Sequence, residues 1–217
     1  MAGRYNIGID EVGRGALAGP VVVAALALRK GFNFNNDLRG RKPPLRDSKK
    51  LSRKQRGEWL KYLRSRKDVF FAAARVTPKV IDRINISEAA NLAVRRALER
   101  LLIKMGKKNT GRVVLDGGLY IKKNKKKVNY LVGNGKRNFK IRTIVKADEK
   151  FPEVMLASIF AKVTRDRYMM KKAHKNYPVY GFLNHVGYGT KEHKVALAKY
   201  GLSDIHRKSF CRFIAEA

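Results

Sequence analysis

Acidic residues are scarce in this chain, and four of them stand where apolar segments stop. Asp10 and Glu11 close the segment Tyr5-Asn6-Ile7-Gly8-Ile9, Asp116 closes a run over 112–115, and Asp148 follows one over 139–145. Short segments rich in β-branched and aromatic residues read as strands. Strands that share a sheet bring their ends together although they lie far apart in sequence, so the pattern favours folds that gather these ends. The scarcity sharpens it. After Glu11 no acid occurs until Asp37, and between Asp116 and Asp148 there is none against ten Lys or Arg.

The rest of the chain fits an α/β fold. Val21-Val22-Val23 opens a second strand running to about 28, and 69–76 reads as a third. Helical spacing covers 55–66 and 88–105, the latter with Ser87 as its cap and Gly106 as its stop. A long helix is expected over 151–175, started by Pro152, and another over 191–199. Residues 31–53, with prolines at 43 and 44, read as a loop. The expectation is a mixed five-stranded sheet flanked by helices, with a C-terminal helical segment. No repeat or linker divides the 217 residues, so 1–217 reads as one domain: a core over about 1–176 and a helical segment over about 177–217.

Four carboxylates held close together repel, and some take up protons. A bound divalent cation removes that penalty, and oxygen ligands suit Mg2+ or Mn2+. Two such ions, ~3.5–4 Å apart, activate a water and stabilise the leaving oxygen in phosphodiester cleavage. The plainer alternative is that an Asp at a strand end only starts a turn. The charge balance weighs against it: 50 Lys and Arg against 17 Asp and Glu give +33, which points to a polyanionic partner such as nucleic acid.

Other classes drop out. One cysteine, Cys211, allows neither an internal disulfide nor a cysteine zinc cluster. The apolar run 16–28 is broken by Gly19 and Pro20, is too short to span a membrane, and follows acids where a signal peptide carries positive charge. The expected home is the cytoplasm, and nothing suggests an obligate dimer, so a monomer is expected. Gly13-Arg14-Gly15 with Gly19 superficially resembles a dinucleotide fingerprint, yet a strand follows it where a helix is required. These glycines instead let backbone N–H groups approach a sugar–phosphate chain, with Arg14 placed to pair with a phosphate. The lysine-rich stretch 122–127 reads as a solvated loop or a phosphate-contacting flap, and Gly133-Asn134-Gly135-Lys136 as a hairpin turn. The four histidines form no ligand pair and read as surface or structural residues, and Trp59 as core. Tyr188, between Gly187 and Gly189, is the aromatic best placed to stack on a sugar or base.

Taken in order, the motifs resemble type 2 ribonuclease H, the ribonuclease HII family. They are Ile9-Asp10-Glu11-Val12-Gly13-Arg14-Gly15, Asp47-Ser48-Lys49-Lys50-Leu51-Ser52, Leu115-Asp116-Gly117, Lys146-Ala147-Asp148, Ala161-Lys162-Val163-Thr164-Arg165-Asp166, Gly187-Tyr188-Gly189-Thr190 and His206-Arg207-Lys208-Ser209-Phe210. The resemblance runs from about residue 5 to 210 and implies a ribonuclease H-like fold. It also implies an endonuclease that cuts RNA in RNA–DNA hybrids and incises at single ribonucleotides in duplex DNA, leaving 5′-phosphate and 3′-hydroxyl ends. It assigns metal ligation and catalysis to Asp10, Glu11, Asp116 and Asp148, with Mn2+ or Mg2+ as cofactor. It assigns sensing of the ribose 2′-hydroxyl to Gly13, Arg14 and Gly15, stacking on the adjacent deoxyribose to Tyr188, and phosphate contacts to Lys49 and Lys50. Ala16 stands where the family commonly has proline, an exchange expected to loosen the turn. Two rival readings remain at this level: a basic nucleic-acid binder without enzymatic activity, and another nuclease or recombinase on the same fold.

Overall fold

The computed structural model describes residues 4–32, 45, 47–106, 110–121, 127–132 and 135–214. Six strands form one sheet: β1 Tyr5–Val12, β2 Val21–Arg29, β3 Phe70–Val76, β4 Thr110–Asp116, β5 Lys127–Val132 and β6 Gly135–Ile144, in spatial order β3-β2-β1-β4-β6-β5. β2 is antiparallel to β1 and β3, and β5 is antiparallel to β6, while β4 runs parallel to both β1 and β6. All five expected strands are in this mixed sheet, and β5 adds a sixth. Its Lys and Asn content hid the alternation of Val128, Tyr130 and Val132. The β5–β6 ladder reaches Val132 opposite Gly135, while residues 133–134 of the expected hairpin turn lie outside the described residues. So do 122–126 of the lysine-rich stretch and 33–44 of the proline-containing loop.

Helices α1 Arg53–Ser65, α2 Pro78–Ile84, α3 Ile86–Met105, α4 Ala147–Lys150 and α5 Pro152–Tyr168 lie over the two faces of the sheet, and α6 Lys191–Tyr200 packs within the C-terminal segment. This explains why β2 is a continuous apolar run. Its residues 21–28 are all buried, with Val21, Val23 and Ala25 in the α3-side core and Ala24, Leu26 and Leu28 in the core under α1 and α5. Gly8 allows the closest approach. A Cβ there would lie 2.2 Å from the backbone carbon of Glu153, so only glycine lets α5 rest directly on β1.

Three local expectations need correction. Asn85, not Ser87, caps α3: its side chain accepts from the N–H groups of Ser87 and Glu88 at 3.0 Å, with its own backbone at φ 63°. Asn tolerates that region and satisfies two orphan donors there. The helix expected over 151–175 is α-helical only to Tyr168. It then widens into a π turn, Met169–Ala173, before a last turn His174–Asn176. The wider turn delivers Met169 and Ala173 to a third core, with Leu17, Ala18, Phe182 and Leu197. Val145 does not continue the buried face of Phe139 and Ile141. The strand stops at Ile144, and Val145 is 72% exposed. Among the described residues no helix is long and apolar enough to cross a membrane.

Candidate active site

The parallel register puts the strand-end acids side by side. Ile9 pairs with Leu115, so the next residues along, Asp10 two short of the end of β1 and Asp116 at the end of β4, lie next to each other. Asp116 also pairs with Ile144, the last residue of β6. Immediately beyond, Lys146 adopts a left-handed conformation (φ 55°) that turns the chain sharply. The turn aims the Ala147 N–H at Asp116 Oδ1, 2.7 Å away, and sets Asp148 in the first turn of α4. Asp10 and Asp148 are buried. One Asp10 oxygen accepts the Glu11 N–H at 2.7 Å, and the nearby Ser158 hydroxyl of α5 opposes the rise of the Asp10 pKa. Ser158 in turn meets Ser48 at 2.9 Å, which ties the 48–50 turn to the site.

The acids are under-compensated. Burial, then the repulsion of Glu11 and Asp116, holds the Asp10 carboxyl well above the usual carboxylate range. Burial also raises Glu11, against the pull of Arg14 and with a push from Asp116. Burial and Asp116 raise Asp148, with Asp47 adding to the rise and Lys49 opposing it. Glu11 Oε2 is buried without a hydrogen-bond partner. Hard oxygen donors, raised carboxylate pKa values and an orphaned carboxylate oxygen suit a divalent cation. Among the described residues no three acidic, histidine or cysteine side chains yet stand as close as ligands of one ion would.

The glycine–arginine–glycine loop lies beside the acids. Gly13 has φ 89°, and a Cβ there would sit 2.3 Å from Arg165 Nε, so glycine is required on both counts. Gly15 faces open space, with nothing within 4 Å of a side chain added there. Arg14 donates to Ser87 Oγ at 3.2 Å and lies 3.8 Å from Glu11, while its Nη1 is buried and unpartnered. Ala16, at the position where the family commonly has proline, is fully buried and forms a β-bridge with Tyr188. Tyr188 is half-buried, with the Arg165 guanidinium 5.1 Å and Lys162 Nζ 5.5 Å from its ring centre. Lys49 reaches the edge of the acid cluster through its effect on Asp148, whereas no such tie links Lys50 to the four carboxylates among the described residues.

Two arginines that sequence reasoning missed hold this loop. Arg165 and Arg207 are both completely buried. Arg165 donates to the carbonyls of Ala18, Pro20 and Val186 at 2.9–3.0 Å. Arg207 donates to those of Gly13, Arg14 and Gly19 at 2.6–3.0 Å. Nothing in a chain of 50 Lys and Arg marks these two as interior. The only signal was their place inside motifs, with apolar neighbours three and four residues away.

The family model for Ribonuclease HII matches residues 7–213. A ribonuclease HII from Caldicellulosiruptor bescii is 39% identical over 211 residues, covering 97% of this chain and 88% of its own. The solved ribonuclease H2 from Pyrococcus horikoshii is similar with a TM-score of 0.68 at 25% identity, covering 98% of this chain and 97% of that one. Bst-RNase HIII, solved in complex with Mn2+, shares the fold at a TM-score of 0.69 and 18% identity, over 100% of this chain and 72% of that one. The fold is ribonuclease H-like, as expected.

Proposed function

The chain belongs to the ribonuclease HII family, a family of endonucleases, and from that premise we propose that it hydrolyses the RNA strand of RNA–DNA hybrids and incises 5′ of single ribonucleotides in duplex DNA. The products carry 5′-phosphate and 3′-hydroxyl ends. Residues 1–217 work as one unit in the cytoplasm, the C-terminal segment supplying Tyr188 to the core.

In this reading Asp10, Glu11, Asp116 and Asp148 hold two divalent ions, Mn2+ or Mg2+. A neighbour of the same fold was solved with Mn2+. When bound, such ions supply an activated water and stabilise the leaving oxygen. The chain's own residues do the rest. Asp116 is fixed by the Ala147 N–H, which leaves its second oxygen for ligation. Asp10 holds the Glu11 N–H on one oxygen. Arg14 pairs with a backbone phosphate, and backbone groups of residues 13–15 read the 2′-hydroxyl, which both donates and accepts. Tyr188 stacks on the next deoxyribose and rejects a ribose there. Lys49 and Lys50 meet phosphates.

The observation that supports this reading is the adjacency of Asp10 and Asp116 on neighbouring strands, with Glu11 and the α4 residue Asp148 within electrostatic reach and three of the four raised in pKa, beside a loop built on Gly13. The test is cleavage of a labelled DNA duplex containing one ribonucleotide, beside an RNA–DNA hybrid and an all-DNA duplex, with Mg2+, Mn2+ or EDTA. Metal-dependent incision 5′ of the ribonucleotide, absent from all-DNA and from Asp116→Asn, is expected. Tight binding without incision under any metal condition refutes the reading. Cutting of the hybrid alone refutes the sensing role of residues 13–15 and Tyr188 while leaving the carboxylates in place.

A further inference from the structure

Three histidines that the carboxylate chemistry does not use lie together in the C-terminal segment. His185, His193 and His206 are all buried, and His185 stacks on His193 with ring centres 4.4 Å apart. His193 Nε2 and His206 Nε2 are 3.0 Å apart. Two facing imidazole nitrogens form a hydrogen bond only when one carries the proton and the other does not, and backbone groups decide which.

The Ser203 N–H donates to His206 Nδ1 at 2.9 Å. That nitrogen therefore bears the lone pair, and neutral His206 carries its proton on Nε2. His206 Nε2–H then donates to His193 Nε2, which puts the His193 proton on Nδ1. From there it donates to the carbonyl of Tyr188 at 3.0 Å. Burial keeps both rings neutral at ordinary pH, with each pKa lowered to about 4. The hydrogen-bond chain thus has one direction and one terminus.

The terminus is the residue that the proposed function uses as its sugar platform. The Tyr188 N–H donates to the His185 carbonyl at 2.9 Å, and its carbonyl accepts from both His193 and the Thr190 N–H, the latter at 2.9 Å. Both peptide planes flanking Tyr188 are thereby fixed, and with them the direction of its Cα–Cβ bond. His185 repeats the device one step back, accepting the Gly187 N–H on Nδ1 at 3.2 Å and donating from Nε2 to the Tyr180 carbonyl at 2.7 Å. An apolar core could fill this space without polar atoms. A buried polar chain that is fully satisfied instead specifies a single arrangement.

We propose that the directed hydrogen-bond chain Ser203–His206–His193–Tyr188 makes His193 and His206 positioning residues for substrate discrimination, acting through the orientation of Tyr188. The proposal rests on the reading of Tyr188 as the deoxyribose platform. Two measurements on the full chain test it. Nitrogen NMR of histidine-labelled protein at neutral pH reads the tautomers: His193 carries its proton on Nδ1 and His206 on Nε2, and the opposite assignment for either overturns the relay. Kinetics then compare kcat/KM on the single-ribonucleotide duplex with kcat/KM on a continuous hybrid. His193→Leu, which ends donation to Tyr188, lowers that ratio about five- to ten-fold. His193→Asn, whose amide restores a donor at the Nδ1 position, keeps the ratio within about two-fold of the parent. Tyr188→Ala lowers the ratio, and adding His193→Leu to it lowers it no further, because the histidine acts through the tyrosine. A folded His193→Leu with the parental ratio, while Tyr188→Ala lowers it, overturns the positioning role and leaves the reading of Tyr188 intact. An unchanged ratio in Tyr188→Ala overturns that reading itself, and the consequence drawn here with it. Should His193→Leu fail to fold, the tautomers of the parent protein decide.

Discussion

Replacing Arg207 with Met should remove the support of the 13–19 loop without touching a carboxylate. The guanidinium is fully buried and gives its Nε to Gly19 O at 3.0 Å, its Nη1 to Arg14 O at 2.7 Å and its Nη2 to Gly13 O at 2.6 Å. Methionine fills much of the volume and supplies no donor. Each charged hydrogen bond is worth ~1.5–3 kcal/mol net, so the gross loss is several kcal/mol. Part of it returns because a costly buried cation is removed. Burial, and then Arg165, pulls the Arg207 pKa down to about 9, which still leaves it charged at neutral pH. The balance is a loss of about 2–4 kcal/mol, in the range found when one partner of a buried charged network is deleted. For a domain this size 1 kcal/mol moves Tm by ~2–4 °C, so thermal unfolding followed by circular dichroism should show a fall of about 5–15 °C. Arg207→Lys keeps the charge but not the planar fork, and should recover less than half of that fall. A Tm for Arg207→Met within ~2 °C of the parent would sink the argument, since three orphaned carbonyls cannot be free of cost. Full recovery by Lys would show that charge, not fork geometry, is what the loop needs.

Three further outcomes follow from the same geometry. Asp10→Asn should abolish cleavage yet raise the metal-free Tm, because the raised Asp10 pKa means that its ionised form costs stability at neutral pH; scanning calorimetry with and without Mn2+ should also find the parent's metal-induced stabilisation lost in the variant. Acidification from pH 6.5 toward 4 should destabilise the C-terminal segment by up to ~3 kcal/mol per histidine, since His193 and His206 stay neutral when folded while the unfolded chain takes up protons. Their surroundings are His185, Ser203, Tyr180, Phe182, Glu192 and the following Arg207. The raised acids act in the opposite sense over the upper part of that window, so the urea-unfolding pH profile of His206→Gln, flatter than the parent's, isolates the histidine contribution. Binding to a ribonucleotide-containing duplex should fall ~10³-fold or more between 50 and 200 mM salt if six phosphates are neutralised, and an affinity indifferent to salt would show that the +33 charge is not engaged.

Legibility followed physical signal. β1, β2, β4 and β6 were readable because apolar runs ended in acids or glycine, and the four carboxylates were readable because acids are rare enough here to be conspicuous. β5 was not, since its Lys and Asn residues carry no strong strand preference and its pairing with β6 is a tertiary choice. The switch of α5 to a π turn at Met169 was equally hidden. Met169 and Ala173 suit an ordinary helix, and only their docking on Leu17 and Ala18 selects the wider turn. Ser87 looked like the cap of α3 because it is a favoured residue two positions late, while Asn85 needed its positive φ to be recognised. Arg165, Arg207 and the histidine relay were hidden for one reason: their partners are backbone carbonyls and amides, and a sequence does not display which main-chain groups a fold leaves unpaired.

The choice of backbone carbonyls as partners for Arg165 and Arg207 has a consequence for the acids. A buried arginine beside Asp10 or Glu11 would neutralise the cluster and compete with any ion for its oxygens. Arg165 and Arg207 spend their donors on neutral groups of the 13–20 and 186 backbone, so they hold the 13–20 loop while leaving the carboxylates' raised pKa values intact. Arg14 is the exception. It stands 3.8 Å from Glu11, too far for a tight pair, and keeps Nη1 unpartnered. In the proposed reading, a cation held by Glu11 would draw that carboxylate from Arg14 and leave the guanidinium for a phosphate. That reading would couple metal binding and substrate capture through a single loose ion pair, while the carbonyl contacts of the two buried arginines hold the 13–20 backbone apart from it.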